Sequence, residues 1–172
     1  MKIEDYVHGI DEALRGSQER LEEIIDILKI THRRNKRIWV LGNGGSLAIA
    51  QHFAQDMIKM CGVRAHAITC PSIITAYTND HAFEYSSYRP VQVLRDPGDA
   101  VMIFSCSGKS RNYIEFVSMQ DHPLIAVVGT DGGFLIEKAD FSVHVKSHDY
   151  QVCETAFCVI ADLIVKSMKE IQ

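Results

Sequence analysis

At 172 residues the chain suits one domain, and with 47% of its residues hydrophobic it has material for a full core. A formal net charge of −4 argues against a general nucleic-acid coat, which needs a basic face, so no direct nucleic-acid contact is expected and any anionic ligand must be held by local dipoles and hydrogen bonds. No uncharged apolar run is long enough to span a membrane, the acidic N-terminal stretch lacks a secretory core, and 5 cysteines without a CxxC pair predict reduced thiols, so a cytoplasmic protein is expected.

In chain order, residues 3–35 read as helix, because Ile10, Leu14, Leu21, Ile24, Ile25 and Leu28 recur at three and four with charges between them. Gly16-Ser17 breaks or bends it. This segment carries more apolar surface than one small sheet needs, so part of it is expected to pack on a neighbouring subunit. A short β-rich run, "RIWVL", leads into Gly42-Asn43-Gly44-Gly45, and Ser46 is the expected N-cap of a helix through about Met60. "AHAIT" (65–69) predicts a strand, "TAYTND" a polar connecting segment, and Phe83 to Leu94 a helix. "DAVMIFS" (99–105) is a strong strand, followed by "CSGKSRN" and a short helix to about Met119. "LIAVVGT" (124–130) and "FSVHV" (141–145) are further strands with "DGGFLIEKA" between them, and Val152, Ala156, Val159, Ile160, Leu163 and Ile164 space a closing helix over Tyr150–Lys169.

Strands alternating with helices imply crossover units, and the continuous apolar character of "VMIF" and "LIAVV" suits strands covered on both faces. The expectation is an α/β fold: a three-layer αβα sandwich on a roughly five-stranded parallel sheet. One domain covers 1–172, with an N-terminal helical segment at 1–35 and an α/β core at 36–172.

Three strand ends are rich in Gly and Ser: "GNGGS" (42–46), "SCSGKS" (105–110) and "GTDGG" (129–133). Glycine lets backbone N–H groups turn toward a ligand, and a following helix N-terminus adds partial positive charge, which together make an anion site. Ser105, Ser107 and Ser110 add hydroxyl donors. Charge-assisted bonds of roughly 1.5–3 kcal/mol each would let a few hold a phosphate despite the negative net charge. None of the loops is a Walker A sequence or a GxGxxG fingerprint. For "GTDGG" a tight strand-to-helix turn is as good a reading as a ligand loop. His52 and Asp56, at i and i+4, share a helix face, where they could orient a sugar, move protons, bind metal or simply form an ion pair.

"GNGGSLAIAQHFAQDM", "TNDHAF", "SCSGKSRN" and "GTDGG" together resemble the sugar isomerase (SIS) domain, and most nearly the phosphoheptose isomerases, over about residues 35 to 165. The resemblance implies a homotetramer with phosphosugar sites built between subunits. It implies substrate contacts from Asn43, Gly44, Gly45, Ser46, Asn79 and Asp80, and a phosphate loop of Ser105, Cys106, Ser107 and Ser110, in which Cys106 replaces the family's Thr and Lys109 its Asn. His52 matches a metal-binding histidine, and Asp56 falls where the family has a glutamate that is base and metal ligand. In "VCETAFCVIAD" Glu154 aligns with the family's Glu, Cys153 replaces a Gln, and Ala161 replaces the histidine that is acid and ligand. Alanine cannot transfer a proton, and Asp reaches about 1.5 Å less than Glu.

An aldose–ketose isomerase with an altered catalytic set is therefore one expectation, with Asp56 or Glu154 as base and His52 or a neighbour's His148 as acid. Other SIS isomerases resemble the chain in having Glu where Glu154 stands. A zinc (Zn) site of His52, Asp56 and Cys153 is a variant of this expectation, although no cofactor is required by it. The other expectation is a non-catalytic phosphosugar-binding or adaptor protein resembling the DnaA-initiator-associating protein, which the loss of His at Ala161 favours. A SIS-type sensor ranks behind both, since no DNA-binding segment is appended.

Overall fold

The computed structural model describes residues 2–118 and 121–169. Two helices open the chain, α1 (Ile3–Leu14) and α2 (Gln18–Arg33). They part at Gly16, whose φ of +79° is open to glycine and strained for other residues. Leu21, Ile24, Ile25 and Leu28 form the buried stripe of α2, as their spacing requires. Then follow β1 (Ile38–Leu41), α3 (Gly45–Cys61), β2 (Ala65–Ala67), α4 (Pro71–Asp80), α5 (Tyr85–Leu94) and β3 (Ala100–Ser105). A 3-10 turn (Arg111–Tyr113) runs into α6 (Ile114–Val117), and the chain closes with β4 (Leu124–Val128), α7 (Gly133–Lys138), β5 (Phe141–His144) and α8 (Tyr150–Lys169).

The five strands form one parallel sheet in the order β2-β1-β3-β4-β5. Side chains alternate between its faces. Ile38, Val40, Met102, Phe104, Ile125 and Val127 pack under α2, α3 and α8. Trp39, Leu41, Val101, Ile103, Ala126 and Val128 pack against Val91, Tyr113, Phe116 and Leu135 on the opposite layer. Every residue of β1, β3 and β4 is buried, which is why these strands read as unbroken apolar runs rather than alternating ones. Among the described residues no helix is long and apolar enough to cross a membrane.

Two expectations need correction. The segment around "TAYTND" is helical, not a connecting loop: α4 spans it, with Pro71 at its start and no buried residue. Proline at the first helical position is pre-set in φ, and the hydroxyls of Thr75 and Thr78 bond the carbonyls of Pro71 and Ile74 four residues back. A helix that buries nothing leaves no apolar stripe to find. Nor is Ser46 an N-cap. Gly44 takes that place at φ +54° and ψ −125°, and Ser46 sits inside the first turn of α3. The expected short helix after "CSGKSRN" is the 3-10 turn plus α6, and its expected end at Met119 lies outside the described residues.

Candidate active site

β1 is the point where the strand order turns: it pairs with β2 on one side and with β3 on the other. Loops leaving β1 and β3 diverge there, and a crevice opens beyond their carboxyl ends. A cleft of about 340 Å³ occupies this place. Asn43, Gly44, Gly45 and Ser46 form one wall and Ser105, Cys106, Ser107 and Ser110 the other, with Tyr150 and Glu154 from the start of α8 across the top.

Each wall follows from local chemistry. The backbone of Gly44 disfavours an L side chain, and α3 begins with no side-chain cap; the Leu47 N–H turns back to the Gly44 carbonyl at 3.1 Å, and the N–H groups of Gly45 and Ser46, with the positive end of the helix dipole, are left for a ligand. On the other wall the Gly108 N–H donates to Ser105 Oγ at 3.1 Å and the Lys109 N–H to Ser107 Oγ at 3.2 Å, which curls the loop around its own hydroxyls. Cys106 forms the floor, with its Sγ 4.0 Å from Ser46 Oγ. Burial pushes its thiol up to about 11, so the floor stays neutral and does not repel an anion. Glu154 is half-buried, and a Cβ on Gly45 would fall on its carboxylate; glycine there is what lets the acid lie against the first turn of α3.

"GTDGG" lies behind the cleft. A Cβ on Gly108 would overlap the Gly132 carbonyl, and one on Gly133 would overlap the Gly108 carbonyl, so the two loops touch backbone to backbone. The Leu135 N–H donates to the Gly108 carbonyl at 3.3 Å. Thr130, at φ +44°, donates from Oγ1 to the Cys106 carbonyl at 3.1 Å and accepts from His144 Nε2 at 2.8 Å. Its own N–H reaches the Ser147 carbonyl at 2.8 Å. The loop is a buttress for the serine loop rather than a ligand loop.

The remaining candidates lie elsewhere. His52 and Asp56 form an ion pair at 3.5 Å on the outer part of α3, with the His52 side chain 67% exposed. Neither lines the cleft, and seven residues of helix put His52 roughly 10 Å along the axis from Gly45. Asp162 of α8 joins them, the three donor atoms lying within 4.8 Å of one another. Cys153 is not in that group. It is fully buried, its Sγ donates to the Ser147 carbonyl at 3.2 Å, and burial pushes its thiol up. Ala161 is buried in the core. The donor set that the family resemblance implies at positions 153 and 161 is therefore not reproduced. Asn79 and Asp80 are exposed at the end of α4, bonded to each other at 2.8 Å and outside the cleft. Lys109 is exposed and paired with Asp131 at 2.6 Å.

Two residues at the site carry no signal that the sequence reading used. Tyr150 reaches the cleft only because α8 starts beside the serine loop. Asn112, fully buried, meets the side chain of Asn43.

The fold is thus a parallel αβα sandwich with a serine-lined cleft at its switch point and one carboxylate, Glu154, among the lining residues. Residues 3–129 match the SIS domain. The chain is 35% identical over 162 residues to the phosphoheptose isomerase of Geobacter metallireducens, covering 87% of this chain and 86% of that one. Among solved structures, the phosphoheptose isomerase of Neisseria gonorrhoeae superposes with a TM-score of 0.90 at 27% identity, over 96% of this chain and 94% of that one. That of Francisella tularensis gives the same TM-score of 0.90 at 22% identity, over 97% of this chain and 94% of that one, a likeness of fold. The chain belongs to the SIS-domain family.

Proposed function

We propose that the chain is a cytoplasmic phosphosugar isomerase of the phosphoheptose kind, interconverting a ketose phosphate and an aldose phosphate through an enediol. The observation that carries this is the single cleft in which the serine loop, the uncapped start of α3 and the Glu154 carboxylate converge. The phosphate binds Ser105, Ser107 and Ser110. Glu154 takes the proton from the carbon beside the carbonyl while the carbonyl oxygen gains one from the acid, giving the enediol; Glu154 then returns its proton to the former carbonyl carbon as the hydroxyl on the neighbouring carbon gives its proton back to the acid's conjugate base and becomes the new carbonyl. Of the expected bases, Glu154 is favoured over Asp56 because it alone lines the cleft. His148 of a neighbouring subunit is favoured as the acid over His52, which lies outside the cleft that Glu154 lines and pairs with Asp56.

The steps assigned to Glu154 need no metal; of the expected zinc ligands Cys153 turns inward, whereas His52 and Asp56 meet Asp162 with donor atoms within 4.8 Å of one another, which is where a zinc ion would be held. Assembly is a homotetramer. Ile3 and Val7 on α1, Ile58 on α3 and Val159 and Leu163 on α8 are exposed apolar residues on one packed layer, which suits burial against other copies. Asn79 and Asp80, remote from their own cleft, act only across such an interface. Light scattering giving 19.3 kDa, the mass of one chain, at micromolar concentration contradicts the assembly.

The deciding assay offers sedoheptulose 7-phosphate and a panel of ketose phosphates, with and without zinc. Glu154→Gln should lower kcat by roughly 10²–10⁴-fold while phosphate still binds. A second reading, a non-catalytic phosphosugar-binding protein, is favoured by one observation: the position of the family's acid is a core alanine. It becomes the correct one if the parent binds phosphosugar and turns over none, and the first holds if Glu154→Gln removes a measured activity.

A further inference from the structure

Asn43, expected to contact the substrate, lines the cleft, and its side-chain amide exchanges two hydrogen bonds with Asn112. Asn43 Nδ2 donates to Asn112 Oδ1 at 3.0 Å, and Asn112 Nδ2 donates back to Asn43 Oδ1 at 3.1 Å. Asn112 Nδ2 also donates to Ser87 Oγ of α5 at 2.9 Å. Asn112 is fully buried. A buried amide with its two N–H groups and its oxygen all engaged holds its neighbours firmly, because breaking any of these bonds leaves a polar atom without water or partner.

The place of this pair gives it a role. Asn43 opens the loop that becomes the first turn of α3, immediately before Gly44 in its glycine-only conformation. Asn112 belongs to the 3-10 turn that the serine loop enters, the Tyr113 N–H closing that turn on the Ser110 carbonyl at 3.1 Å. One reciprocal amide pair therefore ties the two walls of the cleft together, and Ser87 ties both to α5. Building on the phosphate-binding reading of the cleft, we infer that Asn112 is a positioning residue: it sets the separation between the serine hydroxyls and the α3 N–H groups, and so the fit to a phosphate, without touching the ligand.

The test is a double-mutant cycle read by calorimetry with inorganic phosphate, on the full chain. Asn112→Ala and Asn43→Ala should each weaken phosphate by about tenfold, and the double variant by little more than the worse single, because both remove one shared contact. Ser87→Ala, which leaves the reciprocal pair intact, should cost no more than about threefold. With a turned-over ketose phosphate, KM should rise in step with the phosphate constant while kcat stays within about threefold, a split that a general loss of fold would not produce. A folded Asn112→Ala with unchanged phosphate affinity overturns the inference, as does strict additivity of the two singles. If Asn112→Ala does not fold, Asn112→Leu, of similar shape but without the hydrogen bonds, decides: unchanged phosphate affinity overturns the inference and a weakened one supports it. Because phosphate binding is read without turnover, an inactive parent would remove the isomerase reading and leave this result standing.

Discussion

The loops after β3 and β4 look alike on paper: each leaves a buried parallel strand, each is short and glycine-bearing, and each leads toward a helical turn. Their fates differ because of where their strands sit in the sheet. β3 stands beside β1, where the strand order turns and the neighbouring loops diverge, so its serines face an open crevice. β4 lies one strand further along, and its loop is pressed against the back of the first, Gly132 and Gly133 against Gly108. The serine loop presents hydroxyls; the glycine loop presents backbone, and its lack of side chains is what permits the contact. Similar composition thus lines an open cleft in one place and gives support in the other.

This contrast can be broken from either side. The largest effect should come from the contact itself: Gly108→Ala places a Cβ into the Gly132 carbonyl at a residue with φ +62°, and should cost more than about 3 kcal/mol in denaturant unfolding or prevent folding. Next, Ser105→Ala combined with Ser110→Ala should leave a folded protein whose phosphosugar affinity falls on the order of 100-fold, two charge-assisted bonds being lost. Calorimetry showing an unchanged constant would remove the serine loop from the binding site. The smallest effect belongs to the exposed Lys109–Asp131 pair that bridges the two loops at the surface. Asp131→Asn should leave the unfolding midpoint where it is, since an exposed ion pair is offset by solvation and side-chain entropy. A measurable fall would show that the loops are held together by charge rather than by close backbone packing.

Much of the architecture was legible in the residues. Period-3.6 spacing exposed α2 and α8, and unbroken apolar runs exposed β3 and β4, because burial on one face or two writes itself directly into composition. α4 escaped because it buries nothing, and the start of α3 was misplaced by two residues because Gly44 at positive φ, not Ser46, caps it. Which glycine in a run takes the strained backbone is decided by what packs around it.

At the site the division is similar. Glycine freedom, hydroxyl donors and a helix start are local properties of "GNGGS" and "SCSGKS", legible in the residues along with the α/β class. Which acid lines the serine cleft was settled only by the packing of remote elements. Asp56 and Glu154 are equal candidates on paper, yet the packing of α8 on α3 brings Glu154 against Gly45, while Asp56, farther along α3, pairs outward with His52. It decided too that Cys153 turns inward, that "GTDGG" supports rather than binds, and that Asn43 and Asn112, 69 positions apart, share one pair of hydrogen bonds. The contacts of Glu154 with Gly45 and of Asn43 with Asn112 depend on several intervening elements folding back on one another, and no local pattern encodes a distance set by the packing of elements that are remote in the chain.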